Sequence, residues 1–132
     1  MERQSKNEKL LQYFKDICLI PRQTGDEEAI SQYLLDFAKA RGLQAERDAH
    51  HNVLIRKPST IPGYKGPTVI VQGHMDIVYE KSADSTHKYE DGIHVVEEDG
   101  YLKSADGTSL GADNGLAVAY AMDLLDRNDL PL

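Results

Sequence analysis

Residues 116–125 of this chain, Leu-Ala-Val-Ala-Tyr-Ala-Met-Asp-Leu-Leu, constrain its fold more than any other stretch. Wound as a helix over Gly115–Arg127, the segment is apolar around much of its circumference, so it needs cover on several sides. The longest uninterrupted apolar run, Leu116–Met122, is far too short to span a bilayer. The segment therefore predicts a core helix inside a layered domain.

The rest of the chain supplies layers to cover it. Leu10, Leu11, Phe14, Ile17 and Cys18 share one face of a helix expected over 8–20, with Pro21 as a stop. Cys18 on that face reads as a small core residue. A second helix is announced by Thr24-Gly25-Asp26-Glu27, a pattern in which the Thr side chain caps the helix and the Glu reaches back. Its stripe is Ala29, Ile30, Tyr33, Leu34, Phe37 and Ala38, and Gly42 supplies the left-handed residue that ends it.

Beyond Gly42 the period changes. Leu43–Arg47 and Asn52–Lys57 read as short strands, with His50 and His51 near the turn between them. Residues 58–67 hold three prolines and two glycines and form a loop. Thr68–Gln72 is a β-branched run that suits a strand covered on both faces. Residues 79–91 are polar and irregular, and Asp99-Gly100 marks a hairpin between 92–97 and 101–104. The expected fold class is α/β, with helices packed on a mixed sheet in one domain, residues 1–132, and no second domain.

Composition narrows the function classes. With 15 Lys+Arg against 22 Asp+Glu the formal charge is −7, which argues against a sequence-independent grip on nucleic acid or an anionic membrane surface. A single cysteine permits no internal disulfide, and the polar amino terminus carries no secretory signal, so a cytoplasmic location is the default.

Two segments could carry chemistry. In Gly73-His74-Met75-Asp76, alternation along extended backbone points His74 and Asp76 the same way and Met75 the other. A carboxylate beside an imidazole fixes its tautomer and raises its basicity, the usual support for a metal-bound histidine; a surface His–Asp pair is the plainer reading. In Gly111-Ala112-Asp113-Asn114-Gly115, Asp113 or Asn114 caps the apolar helix, or Asp113 is a metal ligand with glycines allowing close backbone approach. His74 and Asp113 are 39 residues apart, so only the fold can unite them.

In combination these segments resemble the di-zinc peptidase and aminoacylase superfamily. Ile20-Pro21, Gly25-Asp26-Glu27-Glu28, Glu46-Arg47-Asp48, the stretch Asn52–Pro58 and the stretch Gly107–Gly115 sharpen the match to the amino-terminal part of aminoacyl-histidine (Xaa-His) dipeptidases. The resemblance runs from about Leu10 to Leu132. It implies that His74 is a ligand to one zinc, and that Asp113 bridges two zincs and precedes a cis peptide bond. It also implies that Asp76 is the catalytic aspartate orienting the histidine. Zinc would lower the pKa of a bound water toward about 7. Two metals roughly 3.5–4 Å apart would hold that nucleophile and polarise the scissile carbonyl of a dipeptide substrate. Manganese and cobalt are substitutes that the same ligands accept.

The family completes its site with a Glu-Glu pair, a further carboxylate and a further histidine downstream of the Asp. Here Glu27-Glu28 and Glu97-Glu98 precede Asp113 and read as solvated charges, while His50, His51, His87 and His94 read as exposed imidazoles. The chain runs only to Leu132, where the strand leading to Glu-Glu would begin. The expectation is a partial catalytic domain, inactive by itself. The alternative is a truncated, non-catalytic paralogue acting as an interaction module, with self-association through exposed core surface.

Overall fold

A computed structural model describes residues 2–132, with side chains from Asn7 onward. The elements run α1 (Glu2–Cys18), α2 (Glu28–Ala40), β1 (Gln44–Arg47), β2 (Val53–Arg56), β3 (Val95–Glu98), β4 (Tyr101–Ser104) and α3 (Ala112–Asp126), with a 3-10 turn at Tyr89–Asp91. The fold class is α/β, as expected. The strands form two separate antiparallel pairs, β1–β2 and β3–β4, and the parallel component is an isolated bridge between Gln23 and Ile77.

α1 packs on α3, and α2 lies against β1 and β2. Phe14, Ile17, Ile30, Ala38 and Ala119 are fully buried, with Cys18 and Met122 almost so, and Ile77 and Ile93 close the cluster. Cys18 is thus a core residue. α3 buries Gly115, Val118, Ala119, Met122 and Asp123. Tyr120, on its opposite side, is 57% exposed, while Leu116, Ala117, Ala121, Leu124 and Leu125 are half-buried, so among the described residues the apolar helix is fully covered on one side and partly on the others. α2 ends as its glycine predicts. Gly42 adopts φ 66°, the Leu43 N–H donates to the Ala38 carbonyl at 3.0 Å and the Gly42 N–H to Lys39 at 3.1 Å, a Schellman closure.

One knot ties the three helices. Asp126 near the end of α3 accepts from the Tyr13 hydroxyl at 2.8 Å and from Arg41 Nε at 2.7 Å, and it pairs with Lys9. Arg41 stacks 3.5 Å over the Phe37 ring and also donates to Tyr13. Desolvation works against ionised Asp126, but the hydrogen bonds from Lys9, Tyr13 and Arg41 outweigh it and hold the carboxyl far below its ordinary range.

Two expectations are corrected here. Thr68–Gln72 is not a covered strand: Val69 and Ile70 are 81% and 83% exposed, and the run makes no backbone ladder among the described residues. β-Branched side chains favour a strand only where neighbours supply pairing and cover, and the described residues give this run no ladder partner. His87 is buried rather than exposed. The Tyr79 hydroxyl sits 2.7 Å from its Nδ1 and the Gly92 carbonyl 2.6 Å from its Nε2, so both ring nitrogens are satisfied and burial is tolerated.

Candidate metal centre

The segment after the exposed run turns inward at Ile77, which is 4% exposed and anchors it to the core. Ile77 donates to the Arg22 carbonyl at 3.0 Å, and its own carbonyl accepts from the Thr24 N–H at 3.1 Å. This pairing sets the alternation that sequence predicts. Met75 packs toward the core, while His74 and Asp76 face outward together, His74 Nδ1 lying 3.2 Å from Asp76 Oδ1 and 3.0 Å from the Asp76 carbonyl.

The second segment arrives from β4. Gly111, at φ 78°, is the N-cap of α3, and Asp113 and Asn114 depart from helical geometry with a cis peptide bond between them. Regular helical bonding begins with the Gly115 N–H donating to the Gly111 carbonyl at 3.1 Å. Neither Asp113 nor Asn114 caps the helix through its side chain. Asp113 instead points out, its side chain 94% exposed, and brings Oδ1 to 3.1 Å from His74 Nε2. The peptide bond after Asp113 is cis, as the resemblance implies.

Arg22, 1% exposed, joins the two segments from beneath. Its Nη1 donates to the Met75 carbonyl at 2.9 Å and its Nη2 to the Gly111 carbonyl at 3.1 Å. The flanking glycines make room for it. A Cβ at Gly111 would lie 2.9 Å, and one at Gly115 2.7 Å, from Arg22 Nη2. A Cβ at Gly73 would meet the buried Asn114 Oδ1 at 2.8 Å. Sequence reasoning missed Arg22; a lone arginine after Pro21 carries no signal of burial.

Thr24 is the second residue missed, and here the structure overturns an expectation. Helix α2 takes Glu27 as its N-cap with no side-chain cap. Thr24 lies three residues too early to cap, and its hydroxyl donates to Asp76 Oδ2 at 2.7 Å instead. Glu27 does reach back, accepting from the Gly25 N–H at 2.7 Å. The Thr24 hydrogen bond is the main reason the Asp76 carboxyl sits below its ordinary range, with the neighbouring His74 adding to it. For His74, desolvation opposes the charged ring, but the Asp113 and Asp76 contacts together exceed it and raise the imidazole above its ordinary value.

The donor set suits a divalent cation in part. With bonds of about 2.0–2.2 Å, two adjacent ligand atoms of a tetrahedral zinc lie roughly 3.3–3.5 Å apart, close to the 3.1 Å between His74 Nε2 and Asp113 Oδ1. Asp76 occupies Nδ1, which leaves Nε2 as the outward donor. Among the described residues no group of three or more His, Cys, Asp and Glu side chains converges, so this is two ligands and a supporting carboxylate. Glu28, Glu97 and Glu98 are exposed and lie in other elements.

No protein-family model matches the chain. It is 39% identical over 116 residues to the cytosol non-specific dipeptidase of Escherichia coli (strain K12), a match covering 87% of this chain and 24% of that protein. The fold superposes on the crystal structure of aminoacylhistidine dipeptidase from Vibrio alginolyticus with a TM-score of 0.87 and 34% identity, over 93% of this chain and 25% of that one. No helix among the described residues is long and apolar enough to cross a membrane. The chain spans about a quarter of the length of the relatives it matches, and over that span it is similar to the aminoacyl-histidine dipeptidases in both sequence and fold.

Proposed function

We propose that this chain carries the first part of the metal site of a dipeptidase, a hydrolase acting on Xaa-His dipeptides. The observation that carries the reading is the meeting of His74 Nε2 and Asp113 Oδ1 at 3.1 Å, with Asp76 held on the far nitrogen of the same ring. In this reading His74 and Asp113 hold zinc, for which manganese or cobalt can substitute, and two metals occupy the complete site. When bound, the metal supplies Lewis acidity, acidifying a water and polarising a peptide carbonyl.

The chain's own residues prepare that chemistry. At Nδ1 of His74 the Asp76 carbonyl, at 3.0 Å, and Asp76 Oδ1, at 3.2 Å, are acceptors that hold the proton there and leave the lone pair facing outward at Nε2. Asp113, its side chain nearly fully exposed, would offer its carboxylate as a metal ligand beside His74. Arg22 fixes the spacing of the two segments from within the core. In this reading the further ligands of the two-metal site, together with a general base, are supplied by residues other than those described. A cytosolic location is part of the same proposal, supported by the name of the E. coli relative.

The test is a chimera in which residues 10–132 replace the matching quarter of the E. coli dipeptidase, assayed with zinc for release of histidine from β-Ala-His. The chimera is expected to hydrolyse it and the isolated chain is not. A folded, zinc-supplied chimera without activity, or hydrolysis by the purified isolated chain, contradicts the reading.

A further inference from the structure

We propose that Thr24 is a positioning residue of this metal site, holding Asp76 so that His74 presents Nε2 outward. The inference deepens the proposed function and rests on it. Four groups form one line: the Thr24 hydroxyl donates to Asp76 Oδ2 at 2.7 Å, Asp76 Oδ1 faces His74 Nδ1 at 3.2 Å, and His74 Nε2 faces Asp113 Oδ1 at 3.1 Å. Thr24 stands at its head because its own backbone is fixed. Its N–H donates to the Ile77 carbonyl at 3.1 Å, and the preceding Gln23 bridges to Ile77.

The geometry gives Thr24 a task that no other described side chain performs. The torsion that turns an Asp carboxylate is soft, so engaging both oxygens fixes its plane more firmly than engaging one. Asp76 Oδ1 has His74; Oδ2 has Thr24 as its hydrogen-bond donor. The loop carrying Thr24 is itself held from the other side. The Tyr89 hydroxyl accepts from the Gln23 N–H at 2.9 Å and donates to Asp26 Oδ2 at 2.7 Å. Asp113 Oδ1 competes for the ring proton at Nε2, while at Nδ1 the Asp76 carbonyl at 3.0 Å and Asp76 Oδ1 at 3.2 Å both accept it. Anchoring Asp76 favours the proton on Nδ1, the tautomer a metal at Nε2 requires.

Thr24 is exposed, so its replacement leaves the core intact. The experiment compares the unaltered chain with Thr24→Val and Thr24→Ser. It reads the His74 ring nitrogens by long-range proton–nitrogen NMR at a pH where the ring is neutral and no metal is present. Zinc affinity is then read by calorimetry. Thr24→Val should raise the share of the Nε2–H tautomer and weaken zinc about tenfold, the lower end of what losing an outer partner costs a metal ligand. Thr24→Ser should restore both. A Thr24→Val chain with the original tautomer ratio and affinity overturns the assignment, as does a Thr24→Ser chain that fails to restore them. Zinc that leaves the His74 ring unperturbed in the unaltered chain defeats the proposed function instead, so the two failures are distinguishable.

Discussion

His74 Nε2 stands 3.1 Å from Asp113 Oδ1, although 39 residues separate the two in sequence. What brings them together is a buried cation. Arg22 spans the carbonyls of Met75 and Gly111, each next to or two residues from a site side chain, and it does so from a position 1% exposed. The spacing of the candidate ligands is therefore a property of the core.

Arg22→Met should accordingly cost stability and site geometry together. It leaves two partly buried carbonyls without a donor, at about 1–3 kcal/mol each where water cannot replace it. The expected loss is about 2–4 kcal/mol in urea unfolding. Arg22→Lys should recover only part, since a point charge cannot span both acceptors as the planar guanidinium does. A chain with Arg22→Met that unfolds at the original urea concentration would remove the clamp from the account.

Gly115→Ala tests the same contact from the other side. The new Cβ would sit 2.7 Å from Arg22 Nη2 and 3.1 Å from Phe14 Cε2, both buried and closely packed. Overpacking of this kind costs roughly 1–3 kcal/mol. The thermal midpoint should fall, whereas Gly25→Ser, where nothing lies within 4 Å of the added Cβ, should show only the smaller cost of its positive φ.

Asp126 sets the acid limit of the fold. Its carboxyl is depressed in the folded chain below the ordinary 3.8, so its stabilisation is complete above that value and is lost as pH falls through the folded-state value. Unfolding free energy should thus decline as pH drops below about 4. Asp126→Asn should lower stability near neutral pH by roughly 2 kcal/mol, the scale of hydrogen bonds to a charged group, and flatten the acid decline. An unchanged acid slope in that variant would show that other carboxylates govern it.

The exposed run makes a prediction about association. Val69, Ile70 and Val71 present a continuous β-branched surface without backbone partners among the described residues, the kind of edge along which a second copy pairs. Sedimentation velocity should show mass rising with concentration, and Ile70→Lys should suppress the rise. A monomer at every concentration would contradict it.

Much of this architecture was legible in the chain. The stripes of α1 and α2, the Gly42 closure and the Asp99-Gly100 hairpin follow from local rules, and the structure has Asp99 and Gly100 at φ 53° and 79° as that turn demands. The alternation that pairs His74 with Asp76 was legible for the same reason. Thr24 was not: a Thr-x-x-Glu pattern describes a cap equally well, and only the Ile77 pairing places its hydroxyl at Asp76. Nor were the burial of Arg22 and His87, whose partners lie 53 and 5 residues away and belong to the tertiary fold. Thr68–Gln72 failed in the opposite direction, because its composition reports the surroundings a strand needs rather than those the described residues provide.

The central claim is that His74 and Asp113 are two ligands of one metal site. Its most direct measurement is a zinc titration followed at the His74 ring nitrogens, in the unaltered chain and in Asp113→Asn. Zinc should shift Nε2 selectively while leaving His50, His51, His87 and His94 unmoved. Affinity should be modest with only two protein ligands, and Asp113→Asn should weaken it by at least about tenfold. Zinc that perturbs the other histidines as strongly as His74, or binds Asp113→Asn equally well, would contradict the account.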